Sequence, residues 1–325
     1  MNKNQKNWHE GGKGYGLCAA KEADGSKSMK YFKRTGSKNE EFWGYLFILP
    51  QFFGIVVFMG FPVIQSLFIS FHKWDFMSEA IWVGLDNYKT ILTAPYTYKI
   101  LGNTLYYMLG TIPLTTIIAI VLAFLLAQPL KGTSIYRSLF FLPNITSSVA
   151  ISLVWLWLFN PDMGIVNLVL DFLGIEPFGW YTTVEGAMPT VILLAVWRDV
   201  GYYVVLFLAG IKGISGSYYE AARIDGASQV SCFFKITLPL LTPTIFFAVT
   251  MMLINGFQVF NETYMLTRGG PADATKTIVL EIYNNAFQYF KMGSAAVYSW
   301  ILFVVILIAT LVQFITSKKW VNYDV

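Results

Sequence analysis

Six apolar segments, each about as long as a membrane-spanning helix, place the strongest constraint on what this chain can fold into. A helix needs about 20 apolar residues to cross roughly 30 Å of hydrocarbon. None of the segments alternates as barrel strands do, and only helices and closed barrels satisfy their backbone inside lipid. The sequence therefore predicts an all-α integral membrane protein with six transmembrane helices, at residues 42–71, 104–127, 139–159, 189–211, 239–266 and 296–316.

Composition agrees with a membrane protein and leaves little material for catalysis. The chain is 55% hydrophobic and 13% charged, whereas a soluble domain carries about 25% charged residues. Its histidines are His9 and His72 and its cysteines Cys18 and Cys232, too few for a zinc site, a disulfide framework or a histidine-based catalytic set. We therefore expect no catalytic residue, no metal site, no cofactor and no nucleic-acid partner, and a chain that is not an enzyme.

The placement of Lys and Arg predicts how the chain crosses the membrane. With a cytoplasmic N-terminus, the inside segments hold sixteen of these residues and the outside loops hold six. The loop at 160–188 is purely acidic. Because cytoplasmic loops are enriched in Lys and Arg, we expect both termini to be cytoplasmic. The polar residues 1–41 predict a disordered cytoplasmic tail, and residues 42–325 the six-helix membrane domain.

A charged stretch, 217–239, interrupts the apolar pattern between the fourth and fifth segments. Ser217 followed by Glu220 has the spacing of a capping box, which predicts a helix start. Gly226 is expected to turn the chain into a second short helix at residues 227–235. Such a hairpin is suited to contact a partner outside the membrane, although an ordinary connector with an amphipathic helix remains the alternative.

Three patterns in this chain resemble those of a known family. Glu220-Ala221-Ala222, then Gly226, then Ile236-x-Leu238-Pro239 resembles the full EAA signature of permease subunits of binding-protein-dependent ABC importers. The stretches FFLPNITSSVAISLVWLWLFNPDMGIVN and LTRGGPADATKTIVLEIYNNAFQYFKMGSAAVYS resemble the carbohydrate-uptake permeases of the maltose and glycerol-phosphate group. The resemblance runs from about residue 42 to the C-terminus.

This resemblance implies a type I ABC importer permease in a bacterial cell membrane, importing a carbohydrate such as a di- or oligosaccharide. It implies a cytoplasmic coupling loop at 212–238 that docks on an ATPase. It also implies a second permease subunit, two ABC ATPase subunits that bind ATP and Mg²⁺, and an extracytoplasmic solute-binding protein. The chain has no GxxxxGK[ST] motif of its own. The implied coupling residues are Tyr219, Glu220, Ala221, Ala222, Asp225 and Gly226.

Polar side chains within the apolar segments are candidates for a substrate site, since such groups are costly in lipid and usually face a cavity or one another. Asn144 and Ser148 share a helical face, as do Asn255, Gln258 and Glu262. Interhelical hydrogen bonding, worth about 0.6–2 kcal/mol, is the alternative role. Arg198 and Asp199 are sequence neighbours on a helix, so we expect each to pair with other residues.

The family resemblance extends to substrate contacts. It implies a cavity lined by residues from the third, fourth and fifth spans: Asn144, Ser148, Asp199, Tyr202, Ile254, Asn255 and Gln258. Asn144 stands where the maltose permease has an aromatic residue and Asp199 where it has a small one. These departures favour a saccharide other than maltose.

Three other functions are open at this point. The first is an ABC permease for glycerol-phosphate, an amino acid or another small polar solute, which would share the EAA loop. The second is an ion-coupled secondary transporter, which would need paired repeats and its own coupling-ion site, and no repeat is visible. The third is a membrane enzyme, for which the sequence offers no convincing nucleophile–base pair.

Overall fold

A computed structural model describes residues 38–128 and 132–322 of the chain. The protein divides into two units, Met1–Val57 and Phe58–Val325. In the first unit the structure describes helix α1 (Lys38–Ile55), whose side chains from residue 41 onward are almost all exposed. Most of the predicted tail at 1–41 lies outside the described residues, so its boundary stays a prediction.

The second unit is helical apart from one pair of short strands. Strands β1 (His72–Lys73) and β2 (Ile81–Trp82) pair antiparallel, with His72 opposite Trp82. Its helices are α2 (Phe61–Ser70), α3 (Asp86–Thr93), α4 (Pro95–Ala127), α5 (Thr133–Ile145), α6 (Ser148–Leu158), α7 (Ile165–Phe172), α8 (Val184–Gly213), α9 (Gly216–Ile224), α10 (Gln229–Cys232), α11 (Leu238–Leu240), α12 (Thr242–Phe257), α13 (Asn261–Thr267), α14 (Ile278–Tyr283) and α15 (Met292–Ser317).

Shorter helical turns complete the backbone. A 3₁₀ turn occupies Trp180–Thr182. Wider π-helical turns occupy Val56–Gly60, Phe233–Thr237 and Asn284–Gln288.

The long helices agree with the predicted membrane spans in number but not in every shape. Among residues 38–128 and 132–322, four stretches are long and apolar enough to cross a bilayer: Glu41–Ser70, Pro95–Ala127, Val184–Gly213 and Met292–Ser317. Two bent pairs bring the total to six if each pair is one span. Several helices also begin earlier than predicted, because their first turns are polar and lie outside the apolar run used to place them.

The predicted third span is broken. Residues 139–159 were expected to form one helix, but α5 and α6 meet at an angle of 96°. Pro143 has no N–H to continue the ladder, and the backbone becomes extended at Thr146 and Ser147. Thr146 Oγ1 donates instead to the carbonyl of Leu142 at 2.9 Å. The segment is apolar enough to span a membrane, as predicted, but it is not the single straight helix that the sequence predicted.

The predicted fifth span is broken at both ends. The segment Gln229–Leu240 meets Thr242–Phe257 at 64°. Helix α12 ends at Phe257, and the chain turns through Gln258 before α13 begins at Asn261. The expectation of one helix over 239–266 is therefore wrong, because helical spacing does not continue past Phe257.

Helices α4 and α8 form the centre of the core. Their contact is lined mostly by small and branched side chains with almost no solvent exposure, including Ala119, Ala123, Ala195 and Val204, together with the fully buried ring of Phe207. Small residues allow membrane helices to approach closely, which increases dispersion contacts where the hydrophobic effect is absent. Helix α5 packs on α8, and helix α12 packs on both members of this pair.

Helix α5 lies against α8 at Gly201, where only a glycine fits. A Cβ atom at this position would collide with the backbone carbonyl of Phe140 on α5. Gly201→Ala should therefore destabilise the protein by about 1–3 kcal/mol, since backbone cannot move aside as a side chain can. The measurement is the thermal unfolding midpoint of the purified protein in detergent.

Gly102→Ala on α4 is the matched control, because its Cβ would meet no atom within 4 Å. This change should leave the midpoint unchanged or raise it, as alanine favours a helix by about 1 kcal/mol. Equal midpoints for the two variants would contradict the close contact at Gly201.

Candidate functional site

A cavity of about 530 Å³ lies among α4, the α5–α6 break, α8 and the turn after α12. Its wall combines amides, hydroxyls and carboxylates with apolar and aromatic side chains. Six of the seven residues expected to contact substrate line this one cavity: Asn144, Ser148, Asp199, Tyr202, Asn255 and Gln258. Ile254 is not among the lining residues.

The break in the third span brings two of these side chains to the cavity. Asn144 lies in the last turn of α5 and Ser148 begins α6, with Thr146 between them. The predicted shared helical face is therefore wrong, since the two residues belong to different helices. They line the same cavity because the extended backbone at residues 146–147 turns both helix ends towards it.

A second break gives Gln258 its position. The expected stripe of Asn255, Gln258 and Glu262 does not lie on one helix, because α12 ends at Phe257. All three nevertheless line the cavity. Gln258 Nε2 donates to the carbonyl of Ile254 at 3.1 Å, which fixes the amide and leaves its oxygen available as an acceptor.

Three charged side chains form one ion-pair cluster in the cavity wall. Arg198 binds Asp199 in a bidentate manner, with Nε to Oδ1 at 2.8 Å and Nη2 to Oδ2 at 3.1 Å. Arg198 also pairs with Glu262 of α13, whose side chain is only 5% exposed. The expectation that Arg198 and Asp199 would not pair with each other is wrong, because the long guanidinium side chain folds back along its helix. The expected further partner of Arg198 is Glu262.

Sequence reasoning missed the contribution of α4. Tyr107, Thr111 and Thr115 line the cavity from this helix, and all three are buried. They recur every four residues, so they occupy one helical face. Thr111 Oγ1 donates to the carbonyl of Tyr107 at 2.9 Å. That polar stripe within an apolar segment was the signal that could have identified them.

The hairpin between the fourth and fifth spans has the predicted turn but not the predicted start. Helix α9 is capped by Ser215, whose Oγ accepts from the Ser217 N–H at 3.4 Å. The capping box of Ser217 and Glu220 is therefore wrong, because the helix begins two residues earlier. Its end carries Gly226 at φ +76°.

The hydrogen bonds around Gly226 explain why a glycine stands there. The N–H of Gly226 donates to the carbonyl of Arg223 at 3.0 Å, and that of Ala227 to Ala222 at 2.9 Å. This pair of bonds is a Schellman motif, in which the residue after the helix adopts a left-handed conformation. The second helix is also shorter than expected, since α10 gives way at Phe233 to a π-helical turn.

The predicted coupling residues do not all point outward. Glu220, Ala221, Asp225 and Gly226 are exposed. Tyr219 instead faces the second arm of the hairpin, where its hydroxyl lies 2.9 Å from Thr237 Oγ1. Ile224 was missed and is 87% exposed.

The lining of the cavity favours binding of a polar solute over chemistry on it. Within residues 38–128 and 132–322, no cluster of three or more His, Cys, Asp or Glu residues could hold a metal ion. The hydroxyls and amides around the cavity can donate and accept hydrogen bonds, and Tyr202 and Phe260 add aromatic rings.

Comparison with known proteins identifies the family of this chain. Residues 115–321 match the profile of the binding-protein-dependent transport system inner membrane component. The chain belongs to this family. The permease is thus a transport component rather than an enzyme, and a multi-pass membrane protein. The predicted fold class, a helical type I ABC importer permease, is confirmed.

Individual relatives cover nearly the whole permease. The probable ABC transporter permease protein YesP of Bacillus subtilis is 40% identical over 93% of this chain and 98% of the relative. The multiple sugar-binding transport system permease protein MsmF of Streptococcus mutans is 33% identical over 86% of this chain and 97% of the relative. A solved bacterial alginate ABC transporter, in complex with an alginate pentasaccharide-bound periplasmic protein, shares the fold with a TM-score of 0.77. The two chains are 22% identical, and the match covers 86% of this chain and 96% of the solved chain.

Proposed function

We propose that the permease is the membrane-spanning subunit of an ATP-driven importer that moves a carbohydrate, of di- or oligosaccharide size, into the cytoplasm. The observation that carries this proposal is the polar cavity of about 530 Å³ at the breaks of two spans. Its volume lies within the range of about 300–1,000 Å³ that is usual for small-molecule sites. The sugar-transport name of MsmF supports the same substrate class.

The cavity residues have the chemistry that sugar recognition needs. Asn144, Asn255 and Gln258 offer amides, Ser148 a hydroxyl and Asp199 a carboxylate to the hydroxyl groups of a sugar. Tyr202 offers both a ring face and a hydroxyl. We assign these residues to substrate contact, and we leave Ile254 out because it does not line the cavity.

The charge of the cavity wall favours a saccharide over glycerol-phosphate. Arg198 supplies the single cation among the lining residues, and it already binds two carboxylates, Asp199 and Glu262. A phosphate group would need free donors of positive charge. Among these lining residues, the phosphate group would find a positive charge only on the guanidinium of Arg198, which is already paired.

The proposed energy source lies on partner subunits. The hairpin 212–238 would face the cytoplasm, together with both termini, in a bacterial cell membrane. Two ATPase subunits, which bind ATP and Mg²⁺, would receive its exposed face around Glu220 and Ile224. A second permease subunit, of a different EAA-containing chain, would complete the pathway, and an extracytoplasmic binding protein would deliver the sugar. The permease itself needs no cofactor, because ligand affinity that differs between two states suffices for alternating access.

Uptake by the reconstituted complex tests the proposal directly. The permease, a partner permease and the ATPases are reconstituted in proteoliposomes, with a solute-binding protein on the side equivalent to the cell exterior and ATP on the side equivalent to the cytoplasm. We expect ATP-dependent uptake of a radiolabelled saccharide, and none of glycerol-phosphate or amino acids. Uptake driven by membrane potential without ATP would contradict the proposal and favour a secondary transporter.

A pair of neighbouring substitutions tests the substrate assignment. Asn255→Ala should lower kcat/KM for uptake by about tenfold, since a site built to hydrogen-bond a hydroxyl loses about 1–3 kcal/mol without its partner. Ile254→Ala, on the same helix but outside the cavity wall, should leave uptake within about twofold of the wild type. Equal effects of the two changes would contradict the assignment.

A further inference from the structure

Four aromatic rings form an unbroken ladder from the cavity into the loop between the last two spans. Phe260 stacks on Tyr264 with ring centroids 5.2 Å apart and planes inclined by 15°. Tyr264 contacts Tyr283 at 5.3 Å, and Tyr283 contacts Phe287 at 5.3 Å. Phe260 also contacts Tyr283 directly at 5.0 Å. We call Phe260, Tyr264, Tyr283 and Phe287 the aromatic ladder.

The two ends of the ladder differ in their surroundings. Phe260 belongs to the wall of the cavity. Tyr264 and Tyr283 are half-buried, and Phe287 at the far end is 65% exposed. The ladder therefore connects the cavity to the surface through side chains that each keep some solvent contact.

Core packing of the loop does not account for these rings. The hydrophobic core here is made by Leu266, Ile278 and Leu280, each at most about one-twentieth exposed. The ladder lies outside that set, so its rings remain accessible. Large aromatic groups left accessible in a continuous line are typical of a binding surface.

The backbone that carries the ladder is firmly held. The Asn103 amide of α4 donates to the carbonyls of Asp273 at 2.8 Å and Lys276 at 3.0 Å. The N–H of Ile278 donates to Thr104 Oγ1 at 3.1 Å. Burial disfavours the charge of Lys276, but hydrogen bonds to Tyr96 and Asp273 outweigh it and raise the pKa of this side chain. The loop is thus fastened to the central helix by buried polar groups.

A π-helical turn sets the register of the exposed end. The turn Asn284–Gln288 follows α14 and contains Phe287, which lies against Tyr283 one turn earlier. Such turns are rare and frequently occur at functional sites.

The chemistry of the ladder matches that of a pyranose ring. The face of an aromatic ring carries negative charge density and attracts the weakly positive C–H hydrogens of a sugar face. The two tyrosines add hydroxyl groups. A hydrogen bond that Tyr283 donates to Tyr264 raises the pKa of Tyr283, so this phenol stays neutral, and its oxygen can still accept from a sugar hydroxyl.

We propose that the aromatic ladder is a carbohydrate-binding track, on which successive sugar residues of an oligosaccharide stack between the surface of the loop 263–296 and the cavity. This proposal rests on carbohydrate import as the proposed function and extends it. A track several rings long is useful only for a chain of sugars, so it assigns the permease a substrate of at least three residues.

The test uses the complete reconstituted complex with sugar series of defined length. The probes are malto-, xylo- and galacturonate oligosaccharides of one to six residues. Phe287→Ala removes the exposed ring, and Tyr283→Leu removes the central ring while keeping an apolar side chain. The matched control is Phe172→Ala on α7, because Phe172 is 89% exposed and lies outside the ladder.

We expect the two ladder variants to lower kcat/KM by about fivefold or more for substrates of four to six residues. Uptake of the shortest transported saccharide should change by less than about twofold. Phe172→Ala should match the wild type at every length.

Three results would overturn the track. Equal losses at all lengths, or no loss at any length, would remove the stacking role. A wild-type complex that moves only mono- and disaccharides would also overturn it. Loss of the second permease from the purified ladder variants would show that these rings form a subunit contact instead. Absence of saccharide uptake by the wild type would instead reject the proposed function itself.

Discussion

Replacing Arg198 with methionine should destabilise the folded permease by about 3 kcal/mol, the lower end of the range for breaking a buried ion pair. The change would leave the carboxylates of Asp199 and Glu262 facing one cavity without their shared cation. We choose the lower end because the side chain of Asp199 is about one-third exposed, so water screens part of its charge. The measurement is the unfolding midpoint of the purified protein.

Two further variants isolate the cause. Arg198→Met combined with Glu262→Gln should recover part of the stability, since only one carboxylate then remains uncompensated. Arg223→Met, an exposed residue of the coupling hairpin, should leave unfolding within about 0.5 kcal/mol of the wild type. An Arg198→Met protein as stable as the Arg223→Met protein would show that the cluster has no structural role.

Gly226→Val should abolish transport by the complex while leaving membrane insertion intact. Gly226 stands at φ +76° at the end of α9, a conformation that costs other residues about 1–2 kcal/mol, and a β-branched side chain more. A cost of one or two kcal/mol corresponds to about a five- to thirtyfold shift between two states. The hairpin would then leave the shape that we propose for docking. ATP-driven uptake by proteoliposomes is the measurement.

The surroundings of Gly226 make this experiment specific. No atom lies within 4 Å of the Cβ that a substitution would add, so any loss arises from the backbone and not from a collision. Gly226→Asn should retain most transport, because asparagine tolerates the left-handed region. Gly213→Ala, another open glycine with ordinary φ, should behave as the wild type. Normal uptake by Gly226→Val would count against the docking role of the hairpin.

Much of the architecture was predictable because the bilayer imposes a length on each span. The apolar runs located the four long helices and the two bent pairs, and the EAA spacing identified the family. The shapes of the third and fifth spans were not predictable in the same way. Pro143 hints at a break, but proline is tolerated in many membrane helices, and nothing in the local sequence fixes an angle of 96°.

Several of the residues that line the candidate cavity were predicted from the sequence, but some of the helical geometry used to predict them was wrong. Asn144 and Ser148 line it, although they do not share a helix. Arg198 binds Asp199 because a flexible side chain can reach a neighbour that helix geometry alone would exclude. The threonines of α4 were missed because only amide and charged side chains and the hydroxyls near them were weighed within the apolar segments. The sequence thus indicated which polar side chains avoid lipid, but not which of them contact one another.

The extended backbone at Thr146 and Ser147 has a consequence for hydration. Between α5 and α6, peptide groups leave the helical ladder at a depth where hydrocarbon could not solvate them. They can be tolerated only beside water or another protein surface. Opposite this point lies the polar cavity, so water in that cavity can solvate these peptide groups when no solute is bound. A barrier to small ions therefore has to be formed elsewhere along the pathway, above or below this level.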